Sequence, residues 1–253
     1  MSTAANAPVV GVFVTCVADL MRPTVGLATA ALLEKAGCRV VVPAGQTCCG
    51  QMAFNAGARD EAAALARQVI ALFAEVDYVV VPSGSCAAMI RQYPELLPGD
   101  PTAQALAART HELLSFLCDV LNWDGLDAAF DAVVTYHDSC SGLRTLGISA
   151  QPRRLLGQVK GLTLRELATP EECCGFGGSF CLKFPELSAR LTSEKLDAAE
   201  ATGAETLLGG DLGCLLSLAG RARREGRTLR VRHVVEVLAG MAEGPALGEE
   251  TPS

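Results

Sequence analysis

Two short stretches of the chain decide its fold: residues 46–51 read QTCCGQ, and residues 172–178 read ECCGFGG. Each stretch holds a pair of adjacent cysteines followed directly by glycine. Single cysteines lie before and after each pair, 32 and 37 residues away in the first copy and 33 and 40 residues away in the second. This repeated spacing indicates an internal duplication. The eight residues are Cys16, Cys48, Cys49 and Cys86 in the first half, and Cys140, Cys173, Cys174 and Cys214 in the second.

Short apolar runs alternate with helical patterns between these cysteines. A run of β-branched residues is typical of a buried parallel strand, whereas apolar residues spaced three and four apart are typical of a helix. The predicted strands are residues 9–14, 39–42, 77–81, 132–136, 162–167 and 205–208. The predicted helices are residues 24–36, 60–74, 152–158 and 187–202. We therefore predict an α/β protein of two pseudo-duplicated halves, each with a parallel sheet.

Each cysteine group follows a predicted strand. In an open α/β sheet, the loops at the carboxyl ends of the strands gather at one edge, where ligands bind. The four cysteines of each half are therefore expected to meet, although those of the first half span 70 residues. Gly50 and Gly175 follow the two cysteine pairs and are expected to supply turns that need a positive φ.

Size and composition limit the function further. The 253 residues suffice for two domains, predicted at residues 1–125 and 126–242, and the Gly-, Pro- and Glu-rich segment 243–253 is predicted to be a disordered tail. A net charge of −7 disfavours nucleic acid as a partner. Neither a signal peptide nor an apolar stretch of roughly 18 residues is visible. We expect a cytoplasmic protein without a transmembrane segment, whose eleven cysteines stay reduced.

Four gathered thiolates suit an iron–sulfur cluster or a structural zinc ion. The chain contains no Cys-x-x-Cys, which disfavours small zinc modules and ordinary ferredoxin signatures. The side chains of adjacent cysteines diverge, which is awkward for one tetrahedral ion, whereas the separate irons of a cluster accept both. We interpret the eight repeated cysteines as ligands of one or two iron–sulfur clusters, with a zinc-stabilised scaffold as the alternative.

Three cysteines fall outside the repeat. Cys38 and Cys118 have no counterpart in the other half and are interpreted as small buried core residues. Cys181 lies seven residues after the second cysteine pair, but its counterpart is Ala56, so packing is favoured over a ligand role.

His137 is the one histidine close to a repeated cysteine, three residues before Cys140, and its counterpart in the first half is Phe13. A structural hydrogen bond is the commoner role of such a histidine, and a bond to cluster sulfur is the functional alternative. The glycine-rich residues 175–178 are not a dinucleotide fingerprint, because Phe180 occupies the position of the required last glycine. The sequence therefore identifies no catalytic residue.

Five stretches carry a resemblance to a known family: FVTC at 13–16, QTCCGQ at 46–51, HDSC at 137–140, ECCGFGG at 172–178 and DLGC at 211–214. Here the chain resembles the cysteine-rich CCG-domain family, which includes the catalytic subunit of heterodisulfide reductase and the iron–sulfur subunit of glycolate oxidase. It is most similar to the lactate utilization protein A group.

The resemblance implies an iron–sulfur, electron-transfer subunit of a complex that oxidises L-lactate, working with two other subunits. The chain would then be a non-autonomous part of an oxidoreductase; the alternative is a cluster-dependent disulfide reductase. The fuller family motif ends in Cys-x-x-Cys, where this chain has Met89 and Ser217. Each half thus has four motif cysteines rather than five, a number that matches a cluster of the 4Fe–4S type.

Overall fold

The computed structural model describes residues 7–249. The chain divides into two compact units, Met1–Gly125 and Leu126–Ser253. That each unit is a separate domain stays a prediction. Within the described residues, no helix has both the length and the apolar character needed to cross a bilayer.

The first unit contains one parallel sheet. Its strands are β1 (Val9–Val12), β2 (Arg39–Val41), β3 (Tyr78–Val81) and β4 (Thr110–Glu112). Its helices are α1 (Cys16–Met21), α2 (Thr24–Lys35), α3 (Gln51–Ala56), α4 (Arg59–Leu72), α5 (Gly84–Arg91), α6 (Tyr93–Leu96), α7 (Pro101–Ala108) and α8 (Leu113–Ser115), followed by a π-helical turn at Phe116–Val120. The strand order is β2-β1-β3-β4, and Val10 of β1 lies between Val40 of β2 and Tyr78 of β3.

The second unit repeats this topology. Its strands are β5 (Ala129–His137), β6 (Lys160–Leu164), β7 (Thr206–Gly209) and β8 (Arg230–His233). Its helices are α9 (Ala150–Leu156), α10 (Phe180–Lys183), α11 (Pro185–Ala201), α12 (Leu212–Arg224) and α13 (Val234–Leu238), with a π-helical turn at Ser141–Thr145. The order is β6-β5-β7-β8, all parallel, and Val134 of β5 lies between Leu164 of β6 and Thr206 of β7.

The central strands β3 and β7 are buried on both faces. Val79, Val80 and Val81 in β3 are inaccessible to solvent, and so are Leu207 and Leu208 in β7. Such continuous burial is characteristic of parallel sheets that lie between layers of helix. The predicted fold class, with two repeated α/β halves and parallel sheets, is confirmed.

The sequence prediction lacks two edge strands, β4 and β8. These strands have three and four residues, and each includes charged side chains, Glu112 in β4 and Arg230 and Arg232 in β8. Runs this short and this polar lack the apolar signature of a strand. Pairing with the neighbouring central strand, rather than local sequence, makes them strands.

The C-terminal segment differs from its prediction as a disordered tail. Ala246 and Leu247 are buried, the backbone N–H of Leu247 donates to the carbonyl oxygen of Val231 at 2.9 Å, and the Arg232 guanidinium donates to the carbonyl oxygen of Gly244 at 2.6 Å. The expectation is wrong for residues 244–249, because two apolar residues and two hydrogen bonds attach them to β8. Residues 250–253 lie outside the described residues.

Candidate metal centre

The four repeated cysteines of the first half all follow the carboxyl end of a strand. Cys16 is the first residue of α1, after β1. Cys48 and Cys49 lie in the loop between β2 and α3, and Cys86 lies in the first turn of α5, after β3. The second half repeats this arrangement, with its cysteines after β5, β6 and β7. The prediction that the cysteine loops lie at the carboxyl ends of the strands is confirmed.

The thiols of each half lie close enough to shift one another's pKa. In the first half, Cys48 interacts with Cys16 and Cys49, and Cys49 also interacts with Cys86. The corresponding chain in the second half is Cys140, Cys173, Cys174 and Cys214. All eight are free of disulfides. The structure thus brings together the four cysteines that the sequence groups in each half; their role as metal ligands stays a prediction.

Contact between the thiols sets their protonation. Hydrogen bonds from Cys16 and Cys49 lower the pKa of Cys48, and the same bonds raise the pKa values of Cys16 and Cys49. In the second half, the pKa of Cys173 is lowered in the same way. Each site favours one thiolate, whose charge opposes the formation of the next. Because a bound cation removes that opposition, four thiols this close are a suitable donor set for a metal.

The glycine after each cysteine pair allows the backbone to turn beside the sulfur. The backbone N–H groups of Gly50 and Gly175 donate to the sulfurs of Cys48 and Cys173, each at 3.4 Å. Both glycines have positive φ, 88° and 80°, as predicted from the sequence. At Gly175 the backbone of α11 is also close, since a Cβ there would lie 2.5 Å from the carbonyl oxygen of Ser188.

A hydroxyl group anchors the second cysteine of each pair. The Tyr93 hydroxyl donates to the carbonyl oxygen of Cys49 at 2.8 Å, and the Thr192 hydroxyl donates to that of Cys174 at the same distance. A buried carbonyl needs such a partner. Neither anchor is visible in the sequence pattern, because Tyr93 and Thr192 differ in residue type and belong to helices at different positions of the repeat.

Lys195 fixes the loop that leads to the second cysteine pair. Its side chain is 1% exposed, and its ammonium donates to the carbonyl oxygens of Thr169 at 2.8 Å and Pro170 at 3.3 Å. Our sequence predictions do not include Lys195. The helical spacing nevertheless indicates its burial, since Lys195 lies three residues after Thr192 and four before Ala199, on the buried stripe of α11.

A buried ion pair holds the segment that precedes Cys140. The Asp138 carboxylate is almost fully buried, and the Arg153 guanidinium donates to both of its oxygens, the longer contact being 2.7 Å. Arg153 also pairs with Glu166 at 2.8 Å and lies over the ring of Tyr136, 5.2 Å from its centre. A bidentate contact fixes orientation as well as charge, so the loop between β5 and Cys140 is held firmly.

His137 lies at the end of β5 and is 1% exposed. A nitrogen of its imidazole and the sulfurs of Cys174 and Cys214 all lie within 4.8 Å of one another. Burial and the positive charge of Lys195 lower the pKa of His137 to about 3, so the imidazole is neutral.

The three cysteines outside the repeat have other surroundings. Cys38 and Cys118 are 8% and 3% exposed and lie in the core. The Cys181 thiol is half-buried and donates to the carbonyl oxygen of Gly178 at 3.1 Å. A neighbouring carbonyl thus satisfies Cys181 without any metal.

Comparison with known proteins decides the family. The sequence profile of the cysteine-rich domain CCG matches residues 10–91 and again residues 134–219. The chain belongs to the CCG family. Each match begins in the first central strand of a unit and ends in the helix that carries the last repeated cysteine, so the two CCG segments coincide with the two sets of gathered thiols.

Curated relatives in the CCG family match nearly the full chain. Lactate utilization protein A of Exiguobacterium is 46% identical over 237 residues, which cover 91% of this chain and 97% of the relative. Lactate utilization protein A of Geobacillus kaustophilus is 47% identical over 233 residues, covering 90% and 98%. Within the CCG family, the chain therefore belongs to the lactate utilization protein A group.

One solved structure shows the same fold. A hypothetical protein from Helicobacter pylori matches with a TM-score of 0.66 and 14% identity, covering 94% of this chain and 50% of the other. This chain thus spans about half the length of that protein. At this level of identity, the likeness shows the fold alone.

The two CCG segments differ in what lies beside the thiols. The position of His137 in the second segment is taken by Phe13 in the first, as the sequence register indicates. Phe13 is inaccessible to solvent, and its ring centre lies 6.0 Å from that of Phe73. One CCG segment therefore has a polar ring where the other has an apolar one.

Proposed function

We propose that each CCG segment holds an iron–sulfur cluster through its four cysteines and that the chain transfers electrons. The observation that carries this proposal is the convergence of four free cysteines at the carboxyl edge of each sheet. Thiolates are the ligands that iron–sulfur clusters use, and four match a 4Fe–4S type. When bound, such a cluster accepts and releases single electrons.

The chain's own residues would prepare the site for this cofactor. The N–H groups of Gly50 and Gly175 donate to cysteine sulfur, which stabilises the negative charge of a thiolate. The Tyr93 and Thr192 hydroxyls and the Lys195 ammonium hold the backbone of the cysteine loops, so the donors need little rearrangement.

We infer a role in lactate utilization, because relatives at 46% and 47% identity over almost their whole length are named Lactate utilization protein A. Oxidising a 2-hydroxy acid moves two electrons and two protons and usually needs a hydride acceptor. The sequence contains no recognisable nicotinamide or flavin motif. We therefore propose that the chain is one subunit of an L-lactate-oxidising complex, acting in the cytoplasm with two other subunits.

We name the four repeated cysteines of the first half the first half-site and those of the second half the second half-site. A second candidate function is the reduction of a disulfide at the first half-site. Cys16 is exposed and lines a cavity of about 220 Å³, together with Thr15, Asp19 and Gln46. An exposed thiol beside an open cavity gives an external disulfide a route to the first site. The corresponding cysteine of the second half, Cys140, is less exposed.

The metal content tests the proposal directly. Protein prepared without oxygen is expected to be brown and to contain about four iron and four sulfide per occupied site. The measurement is iron, sulfide and zinc analysis of the full chain, combined with EPR of the reduced protein. Colourless protein with stoichiometric zinc after anaerobic reconstitution would show a zinc-stabilised scaffold instead.

Activity of the isolated chain separates the two redox candidates. The fully metallated chain alone is not expected to oxidise L-lactate with an artificial acceptor, because its sequence contains no recognisable nicotinamide or flavin motif. Adding the partner subunits should produce turnover. Robust lactate oxidation by the chain alone would contradict the subunit role, and reduction of a disulfide by the chain alone would support the second candidate.

A further inference from the structure

His137 is a buried polar side chain without a partner. Neither of its ring nitrogens has a hydrogen-bond partner among the described residues, and only 1% of the residue is exposed. Leaving a buried polar group without a hydrogen bond destabilises the folded chain. Native proteins keep few such groups, and those that persist often serve a ligand or a catalytic step.

The position of His137 indicates what kind of ligand its ring nitrogen would bind. One of its nitrogens lies within 4.8 Å of the sulfurs of both Cys174 and Cys214, which are equally close to each other. Three donors this compact suit direct bonding to a common metal centre, since metal bonds to imidazole nitrogen and thiolate sulfur are about 2.0–2.3 Å long. Imidazole and thiolate are both established donors for iron.

The backbone on both sides of His137 is fixed. His137 is paired with Gly209 of β7, in the last position of the register between the two strands. On the other side, the carboxylate of Asp138 is held by Arg153. The imidazole is therefore held toward Cys174 and Cys214 by its backbone, although it has no hydrogen bond of its own.

The first half-site has no such nitrogen. Phe13 stands at the position of His137 and packs against Phe73 in the core. The two sites therefore offer the same four thiols but differ by one imidazole. This difference shows that a phenyl ring fits the fold at that position, at least in the first half.

We propose that His137 is a fifth ligand of the second half-site and binds one iron in addition to the cysteine that this iron already has. That centre is then a four-cysteine, one-histidine site, while the first is a four-cysteine site. The inference rests on the proposed function, in which the half-sites hold iron. It follows that the two centres are electronically distinct, because a neutral nitrogen donor changes the reduction potential of iron–sulfur centres.

The test is nitrogen hyperfine spectroscopy on the full chain, labelled with nitrogen-15 histidine and reconstituted without oxygen. The chain has three histidines. A strong coupling from one nitrogen-15 is expected in the reduced protein. His137→Phe should abolish that coupling and alter the EPR signal and midpoint potential of one centre only. His111→Phe should leave it unchanged, since His111 lies among the rings of Tyr78 and Phe116.

The outcomes separate this inference from the proposed function. Iron in both halves without any nitrogen coupling would overturn the histidine ligand alone. A weak coupling, typical of a hydrogen bond to sulfur, would also overturn ligation. Absence of iron from both halves would overturn the inference and the proposed function together. If His137→Phe fails to fold, absence of a strong coupling from the unsubstituted protein still overturns the ligand, and its persistence in His111→Phe still supports it.

Discussion

Replacing Cys174 by alanine is expected to remove about half of the iron and sulfide and to leave the first half-site spectroscopically intact. Cys174 occupies a central place in its set, because its thiol contacts those of both Cys173 and Cys214. Three thiolates would remain around the buried position that the Cys174 thiol had filled. Iron and sulfide analysis with EPR of the reduced protein measures the loss.

Matched variants make this result specific. Cys49→Ala changes the corresponding residue of the first half and should remove the other half of the iron. Cys38→Ala and Cys118→Ala each delete a small buried group outside the sites, so they should keep all the iron and cost about 1 kcal/mol of stability. If Cys174→Ala emptied both sites while the protein stayed folded, the eight cysteines would serve a single centre.

Gly175→Ala is expected to have the largest effect of any single methyl group added near the sites. The φ of 80° alone costs an alanine about 1–2 kcal/mol. The new Cβ would also lie 2.5 Å from the carbonyl oxygen of Ser188 and 2.8 Å from the Thr192 hydroxyl oxygen. Because the first of these belongs to the backbone of α11, the cysteine loop must move, and the second half-site should lose its metal.

Substitutions at two other glycines distinguish backbone strain at positive φ from steric overlap of the new Cβ. Gly226→Ala has the same kind of strain, with a φ of 67°, but no heavy atom would lie within 4 Å of its Cβ. It should cost about 1 kcal/mol and keep all the iron. Gly50→Ala would place its Cβ 3.3 Å from the carbonyl oxygen of Ala62, so its effect should be intermediate. Denaturant unfolding measures the free energy of unfolding, and iron analysis measures the metal content. Equal losses of stability and of iron for Gly175→Ala and Gly226→Ala would refute the overlap argument.

The repeat made much of this architecture predictable. Cysteines at matched intervals, each after an apolar run, predict two parallel sheets and two convergent sets of thiols without any long-range information. The local sequence pattern alone does not predict the short helices that begin at or near the cysteines. Helix α1 at Cys16–Met21 has six residues and depends on the Thr15 side chain, which accepts a hydrogen bond from the Ala18 N–H at 3.4 Å.

The groups that support the sites could not be predicted in the same way. Tyr93 reaches Cys49 across 44 residues, and Lys195 reaches Thr169 across 26. Such pairs form only when a helix packs against a distant loop, and nothing in the local sequence identifies the partner. His137 is visible as a histidine near Cys140, but its burial and its missing partner are properties of the folded chain.

The attachment of residues 244–249 to β8 also affects solubility. Strand β8 is at the edge of its sheet, where an uncovered strand can pair with a neighbouring molecule. The Leu247 N–H donates a hydrogen bond to the carbonyl oxygen of Val231, and the buried side chains of Ala246 and Leu247 cover the strand. A version shortened before Gly244 would uncover this edge and favour aggregation, so purification tags are better separated from this segment by a flexible linker.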